Sequence, residues 1–337
     1  MSARNPTFSS LTRISDLPDR PFDLMTINRA HWATGDYVVG KVTGTSRSSK
    51  IELPTGRMTE VALGDQLVGA FGIRAATLEA VGGWQEIQAD NHMQAMTAAG
   101  IFGRVTSSST FITKPIDVTY LGHVVRSGKK VSMQDFVGNT DKSKLDCPVL
   151  LLIGTSMSSG KTTSAKVIIR RLKRMGVRVV GAKLTGAGRY RDILAMSDAG
   201  ADEIFDFVDV GLPSTVCDKP TYRTALHTLL CRIADARPDV LVAEAGASPL
   251  EPYNGDVAVS ELGDLVRCTV LCASDPYAVV GVTRGFGFDP DLVSGVATST
   301  SAGVEIIHQL AQRPALNLMD PNSHPTLDQL LRDRLKI

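Results

Sequence analysis

The chain has no excess of charge of either sign. Its 36 Lys and Arg are met by 35 Asp and Glu, a formal net charge of +1, so no global field draws it to nucleic acid or to an anionic membrane surface. It also has no run of about 18 apolar residues, the length needed to cross a bilayer. The opening MSARNPTFSSLTRISDLPDR lacks the apolar centre of a secretory signal. The expectation is a cytoplasmic protein with neither nucleic acid nor membrane as partner. Cysteine is sparse: Cys147, Cys217, Cys231, Cys268 and Cys272 are odd in number and form no C-x-x-C pair, which argues for reduced, mostly buried thiols and against a zinc site. His31, His92, His123, His227, His308 and His324 are dispersed, with no pair at metal-ligand spacing and no Ser-His-Asp order.

What is present is an ordinary globular composition, 43% apolar and 21% charged over 337 residues, long enough for two domains with separate cores. The polar, turn-rich stretch VGNTDKSKLDC, residues 137–147, reads as the linker. Ahead of it, DYVVGKVTG, KIELPTG, QLVGAFGI, GIFGRVTSSSTF and IDVTYLGHVVRSG are short apolar or alternating runs broken by glycine. They predict a smaller, mainly β domain over 21–140, with one helix around Trp84–Ala99 and a loose tail over 1–20. Beyond residue 147 strands alternate with helices, which predicts an α/β fold over 147–337: a mostly parallel sheet flanked by helices. The strands are PVLLLIG, VRVVGAKL, EIFDFVDV, DVLVAEAG, RCTVLCAS and LVSGVAT, with helices near 161–175, 191–199, 220–236, 302–312 and 326–335.

In such sheets ligands collect at the carboxyl ends of the strands, and each polar cluster of interest here follows a strand. VLLLIGTSMSSGKTTSAK, Val149–Lys166, runs from a buried strand through Gly, Ser and Thr to a lysine and an amphipathic helix carrying Ala165, Ile168, Ile169 and Leu172. Backbone N–H groups of such a loop, with the helix N-terminus, make an anion site. In the pattern G-x-x-x-x-G-K-[ST] the lysine reaches the β- and γ-phosphates and the following hydroxyl ligates Mg²⁺. Gly160, Lys161 and Thr162 fit the second half. The first glycine, Gly154, stands one residue further back than the pattern asks, and Thr155 holds the expected place. A plain strand-to-helix connection also favours Gly and Ser, yet Gly-Lys-Thr-Thr in this context is unusual for one. The candidate phosphate-binding residues are Gly154, Thr155, Ser156, Met157, Ser158, Ser159, Gly160, Lys161, Thr162 and Thr163.

After the second strand comes Lys183 with LTGAGRYR. Lys183 is either a second positive charge on phosphoryl oxygens or a surface lysine snorkelling from the sheet edge. Gly186, Arg189 and Arg191 are substrate-binding candidates; the arginines can clamp a carboxylate or phosphate, or can simply be solvated. After DVLVA comes Glu244 in EAGASPLEP. A carboxylate at the tip of a buried strand calls for a cation or donors, so Glu244 joins Thr162 as a metal candidate, against a structural role accepting N–H groups. Gly246 and Ser248 complete the substrate-binding candidates. Asp192 and Asp198, on the helix after the glycine loop, read as solvated helix-face acids with a lesser claim as base or metal-water ligand.

These motifs resemble two families of P-loop proteins over roughly residues 147–320. GTSMSSGKT, Gly154–Thr162, resembles the phosphate loop of dethiobiotin synthetase, Gly-Thr, four variable positions, then Gly-Lys-Thr, which accounts for the displaced glycine. Lys183 with Gly188, and Glu244-Ala-Gly-Ala, are similar to that family's later elements, although Ser156 stands where the family usually has an acid. The resemblance implies Lys161 and Lys183 on phosphate, Thr162 and Glu244 on Mg²⁺. The DUF1611 family, which contains D-amino-acid N-acetyltransferases, is resembled by Glu244, Gly246, Ser248, Leu250 and Pro252 and by Thr185-Gly186.

Three functions follow as expectations. In the first, ATP and Mg²⁺ serve an enzyme that phosphorylates a small carboxylate, carbamate or hydroxyl acceptor, of ligase or kinase type, with Lys161, Lys183 and Glu244 catalytic. In the second, the loop grips the diphosphate of acetyl-CoA in an N-acyltransferase. The third is a nucleotide-switched binding module or metallochaperone. The family likeness further implies a homodimer or higher homo-oligomer. No Asn-Lys-x-Asp element follows a late strand, which disfavours guanine.

Overall fold

Apolar strands alternating with helices can be buried on both faces only if the helices cover a sheet from both sides. The computed structural model, which describes residues 6–45, 49–140, 143–246 and 248–337, has that form in the second of its two compact units. This unit comprises Thr140–Gly186, Asp192–Asp206 and Asp218–Ile337. Its six-stranded sheet is parallel throughout and contains β1 (Val149–Gly154), β2 (Val179–Thr185), β3 (Glu203–Asp206), β4 (Val240–Ala245), β5 (Val266–Cys272) and β6 (Leu292–Ser294). The order across the sheet is β3-β2-β4-β1-β5-β6. Strand β4 is thus inserted between β1 and β2, with Glu244 in register with Leu152 on one side and Lys183 on the other.

The helices are α1 (Lys161–Arg174), α2 (Tyr190–Asp198), α3 (Lys219–Asp235), α4 (Gly255–Leu262), α5 (Pro276–Phe286), α6 (Ser301–Ala311) and α7 (His324–Leu335). Helix α1 buries Ala165, Ile168, Ile169 and Leu172, the three-and-four spacing of one helix face. These residues pack with Leu150, Leu152, Val240, Val242, Val270, Leu327 and Leu331 in one core. Two helices were not foreseen. The start of α5 is marked by Asp275, which accepts N–H bonds from Tyr277 and Ala278 at 3.0 and 2.9 Å, and by Pro276, a cap-and-proline signal the sequence displays. The start of α4 has no side-chain cap, so nothing local announces it.

The first unit runs to Asn139 and also contains Ala187–Arg191 and Phe207–Cys217. Its mainly β texture resolves into a ring. Strand 66–71 pairs antiparallel with 37–44, 37–44 with 116–126, 116–126 with 92–95, and 92–95 with 101–108. Ile101 and Phe102 then run parallel to Ala70 and Phe71 and close the circle, so that each of these five strands has a partner on both sides. Val38, Val42, Leu67, Phe71, Met93, Phe102, Val118 and Tyr120 fill the inside.

Two expectations are corrected in this unit. The helix around Trp84–Ala99 is a short 3-10 turn, Trp84–Glu86, followed by the ring strand His92–Ala95, whose Met93 and Ala95 point inward. Its helix-forming residues yield to ring closure and to a period of two. The loose tail is packed where it is described: Thr7–Phe8 pairs with Leu67–Val68, and Leu11 and Leu17 are buried; residues 1–5 of that expectation lie outside the described residues. No described helix is long and apolar enough to cross a membrane, and all five cysteines are free thiols.

Candidate functional site

Beyond β1 the chain must reverse into α1 within a few residues, and it does so through two left-handed positions, Ser158 at φ 61° and Gly160 at φ 101°. A side chain at Gly160 would press 3.0 Å from the Cα of Gly295. The displaced glycine also finds its reason. A Cβ on Gly154 would collide with Lys161 Nζ and stand 2.6 Å from Ser159 Oγ, so the lysine side chain lies back over Gly154. Backbone bonds fix the loop from behind: Thr155 N donates to Cys272 O at 3.0 Å, Ser274 N to Thr155 Oγ1 at 3.0 Å and Val296 N to Ser159 O at 3.3 Å. Ser156 Oγ donates to Met157 O at 2.9 Å, while Ser158 and Thr163 are exposed.

Lys161 is buried and donates to Ser156 O at 2.8 Å. Burial holds its pKa below the ordinary lysine value, with Glu244 pulling the other way. Ser159 Oγ is fully buried and has no hydrogen-bond partner among the described residues. A buried donor without an acceptor is an exception that asks for an explanation, and a phosphate oxygen is one that a loop of this shape can accept.

The inserted strand β4 brings the second cluster together. Thr162 Oγ1 donates to Glu244 Oε2 at 3.3 Å, linking the first turn of α1 to the end of β4. Burial raises the Glu244 pKa, opposed by Lys161 and Lys183. Burial alone would lower that of Lys183, but Asp192 and Glu244 outweigh it and the value is raised. The ammonium of Lys183 donates to Asp192 Oδ2 at 2.6 Å. Among the described residues no group of three or more His, Cys, Asp or Glu converges as a metal cage. One hydroxyl and one carboxylate oxygen in contact do suit Mg²⁺, which keeps several waters and takes substrate phosphates as further ligands. The donor set therefore fits this ion.

The other candidates separate. Thr185 Oγ1 donates to Gly246 O at 3.1 Å and Gly246 N to Thr185 O at 3.2 Å. Side chains at Gly186 and Gly246 would stand 3.2 and 3.3 Å from Lys183 Cε, so the lysine stem runs beside two glycines. Ser248 closes its own turn, with N donating to Glu251 Oε2 at 2.6 Å and Oγ accepting from Leu250 N at 3.2 Å; Ala247 lies outside the described residues. Arg189 and Arg191 belong to the first unit, where the N–H groups of Tyr190 and Arg191 donate to Glu52 at 2.8 and 2.9 Å. Asp198 is exposed at the end of α2. Sequence reasoning undervalued Asp192, which is no solvated helix-face acid: no spacing rule foretells a partner nine residues back across a glycine loop.

No protein-family model and no curated protein matches the sequence. Among solved structures the chain is similar to chloroplast FtsY from Physcomitrella patens, at 17% identity over 52% of this chain and 59% of that one, TM-score 0.36. It is similar to a DUF1611 family protein from Anabaena variabilis, at 15% identity over 58% and 61%, TM-score 0.38. A third is the hydrogenase maturation factor HypB from Archaeoglobus fulgidus, at 17% identity over 56% and 90%, TM-score 0.39. The matches span about three fifths of the first two chains. The likeness is one of partial fold and carries no chemistry.

Proposed function

We propose that this protein binds a magnesium nucleoside triphosphate, ATP in the first instance, on the loop Gly154–Thr162 and transfers its terminal phosphoryl group to a small carboxylate, carbamate or hydroxyl acceptor. The observation that carries this reading is the contact of Thr162 Oγ1 with Glu244 Oε2 at the mouth of a loop whose lysine is buried and bonded only to a carbonyl among the described residues. In this reading the loop N–H groups and Lys161 hold the β- and γ-phosphates, Thr162 and Glu244 hold the ion, and Lys183 lies on the acceptor side. Magnesium, when bound, offsets the negative charge of the phosphates. The remaining contribution is positioning. The dethiobiotin synthetase-like loop supports a ligase or kinase over other uses of the same cradle.

Thermal melting of the full chain with Mg-ATP, Mg-GTP and acetyl-CoA tests the proposal. A ligand binding only the native state at 100 times its Kd adds about 2.7 kcal/mol, and that stabilisation is expected from Mg-ATP. A shift with acetyl-CoA alone, or with none of the three, overturns it.

A further inference from the structure

Two lysines act on Glu244, and they are held differently. Lys161 donates to a carbonyl, Ser156 O, at 2.8 Å, whereas Lys183 donates to a carboxylate, Asp192 Oδ2, at 2.6 Å. Lys183 is the register partner of Glu244 on one side and of Asp206 on the other, and register partners put their side chains on the same face of a sheet. The carboxylates acting on the Lys183 ammonium are, in falling order, Asp192, Glu244 and Asp206. A buried charge left without its counter-charge is among the costliest defects a protein can carry. With the Asp192 charge gone, the Lys183 ammonium still has its two register partners, Glu244 and Asp206, on its face of the sheet, and Glu244 is also the partner of Thr162.

We propose that Asp192 is a positioning residue that occupies Lys183 and so leaves the Glu244 carboxylate beside Thr162, open to a divalent cation. The proposal rests on the phosphate-loop reading. It explains why a site built to attract phosphate keeps an acid on one of its lysines: the acid divides the charges so that one ammonium faces the loop and one carboxylate stays available for the ion.

The test is the Mg²⁺ concentration that gives half of the ATP-dependent thermal shift. In Asp192→Asn this concentration is expected to rise about 10- to 100-fold, the range met when a group that orients a metal ligand is removed. The shift produced by ATP with EDTA is expected to stay as in the wild type. A merely structural Asp192 would lower both responses together. Adding Lys183→Met to Asp192→Asn removes the ammonium that would capture Glu244, and is expected to return the Mg²⁺ requirement towards the wild-type value. Should the Asn variant not fold, Asp192→Ser carries the same comparison. An unchanged requirement in the single variant, or no recovery in the double one, overturns the role of Asp192 and leaves the phosphate-loop reading standing. A wild type that gives no Mg-ATP shift overturns both.

Discussion

Both units bury carboxylates, and they surround them differently. In the first unit the buried carboxylates meet several partners supplied by the chain itself, although Ser9 Oγ, Arg74 Nε and His123 Nε2 are buried without a hydrogen bond among the described residues. Glu52 accepts from Ser10 Oγ at 2.5 Å and from the N–H groups of Tyr190 and Arg191. Asp36 accepts from Ala33 N at 2.7 Å and Lys130 Nζ at 2.8 Å, and faces His123 Nε2 at 3.3 Å. In the second unit, at the ends of the strands, Lys161 reaches one carbonyl, Ser159 Oγ reaches nothing described, and Glu244 meets a hydroxyl at the long limit of a hydrogen bond. Burial of charge therefore does not mark a site by itself. Burial with part of the partner set still to be supplied, at the carboxyl ends of parallel strands, singles out a candidate one.

The sharpest way to break that contrast is to remove one charge from each side of it. Asp36→Ala strips the Ala33 N–H of its acceptor, leaves Lys130 Nζ with His31 O at 2.7 Å and takes the carboxylate away from His123 Nε2. Breaking a buried pair in this way costs about 3–5 kcal/mol. Both tryptophans, Trp32 and Trp84, lie in the first unit, so the loss is expected as a lower denaturant midpoint in tryptophan emission. A change under about 1 kcal/mol, the size of an ordinary surface substitution effect, would mean that the ring does not depend on its buried charges.

Lys161→Met is expected to act the other way. It should abolish the stabilisation by Mg-ATP, about 2.7 kcal/mol at 100 times Kd. The ligand-free protein should melt no lower than the wild type, because an apolar side chain of similar length replaces a desolvated ammonium. Differential scanning calorimetry with and without nucleotide separates the two effects. A ligand-free variant destabilised as strongly as Asp36→Ala would place Lys161 among the structural charges and erase the difference between the units.

The same contrast explains what was legible in the sequence. The candidate phosphate loop is a local object: Gly154, Gly160, Lys161 and Thr162 lie within nine residues, so spacing alone singles it out. Glu244 could be singled out by its place at a strand end, but not its contact with Thr162, which depends on β4 being inserted between β1 and β2. Strand order is a long-range property, and no window of sequence contains it. Asp192 shows the same limit, since its meaning comes only from Lys183. In the first unit the limit is more severe: the parallel pairing of Ile101–Phe102 with Ala70–Phe71 that closes the ring joins segments with no motif of their own, and the run His92–Ala95 carries helix-forming residues into a strand.

The smallest expected effect is one of pH, and it separates the two lysines of the second unit. The folded-state pKa of Lys161 lies below its ordinary 10.5, chiefly through burial, so between the two values the unfolded chain holds the proton more strongly than the folded one. By linkage, stability then rises with pH through that window. For Lys183 the folded value is raised; its contribution is complete below the unfolded value and is lost as pH climbs through the folded one, beyond 10.5. If Lys161 meets the phosphates as proposed, nucleotide affinity has the opposite sign to stability in this window, since deprotonation removes that cation. Melting temperature and Kd for Mg-ATP, measured over the same alkaline series, should therefore increase together below 10.5, and Lys161→Met should flatten the rise in melting temperature. A Kd that stays constant across that window would mean that the Lys161 ammonium is not what holds the phosphate.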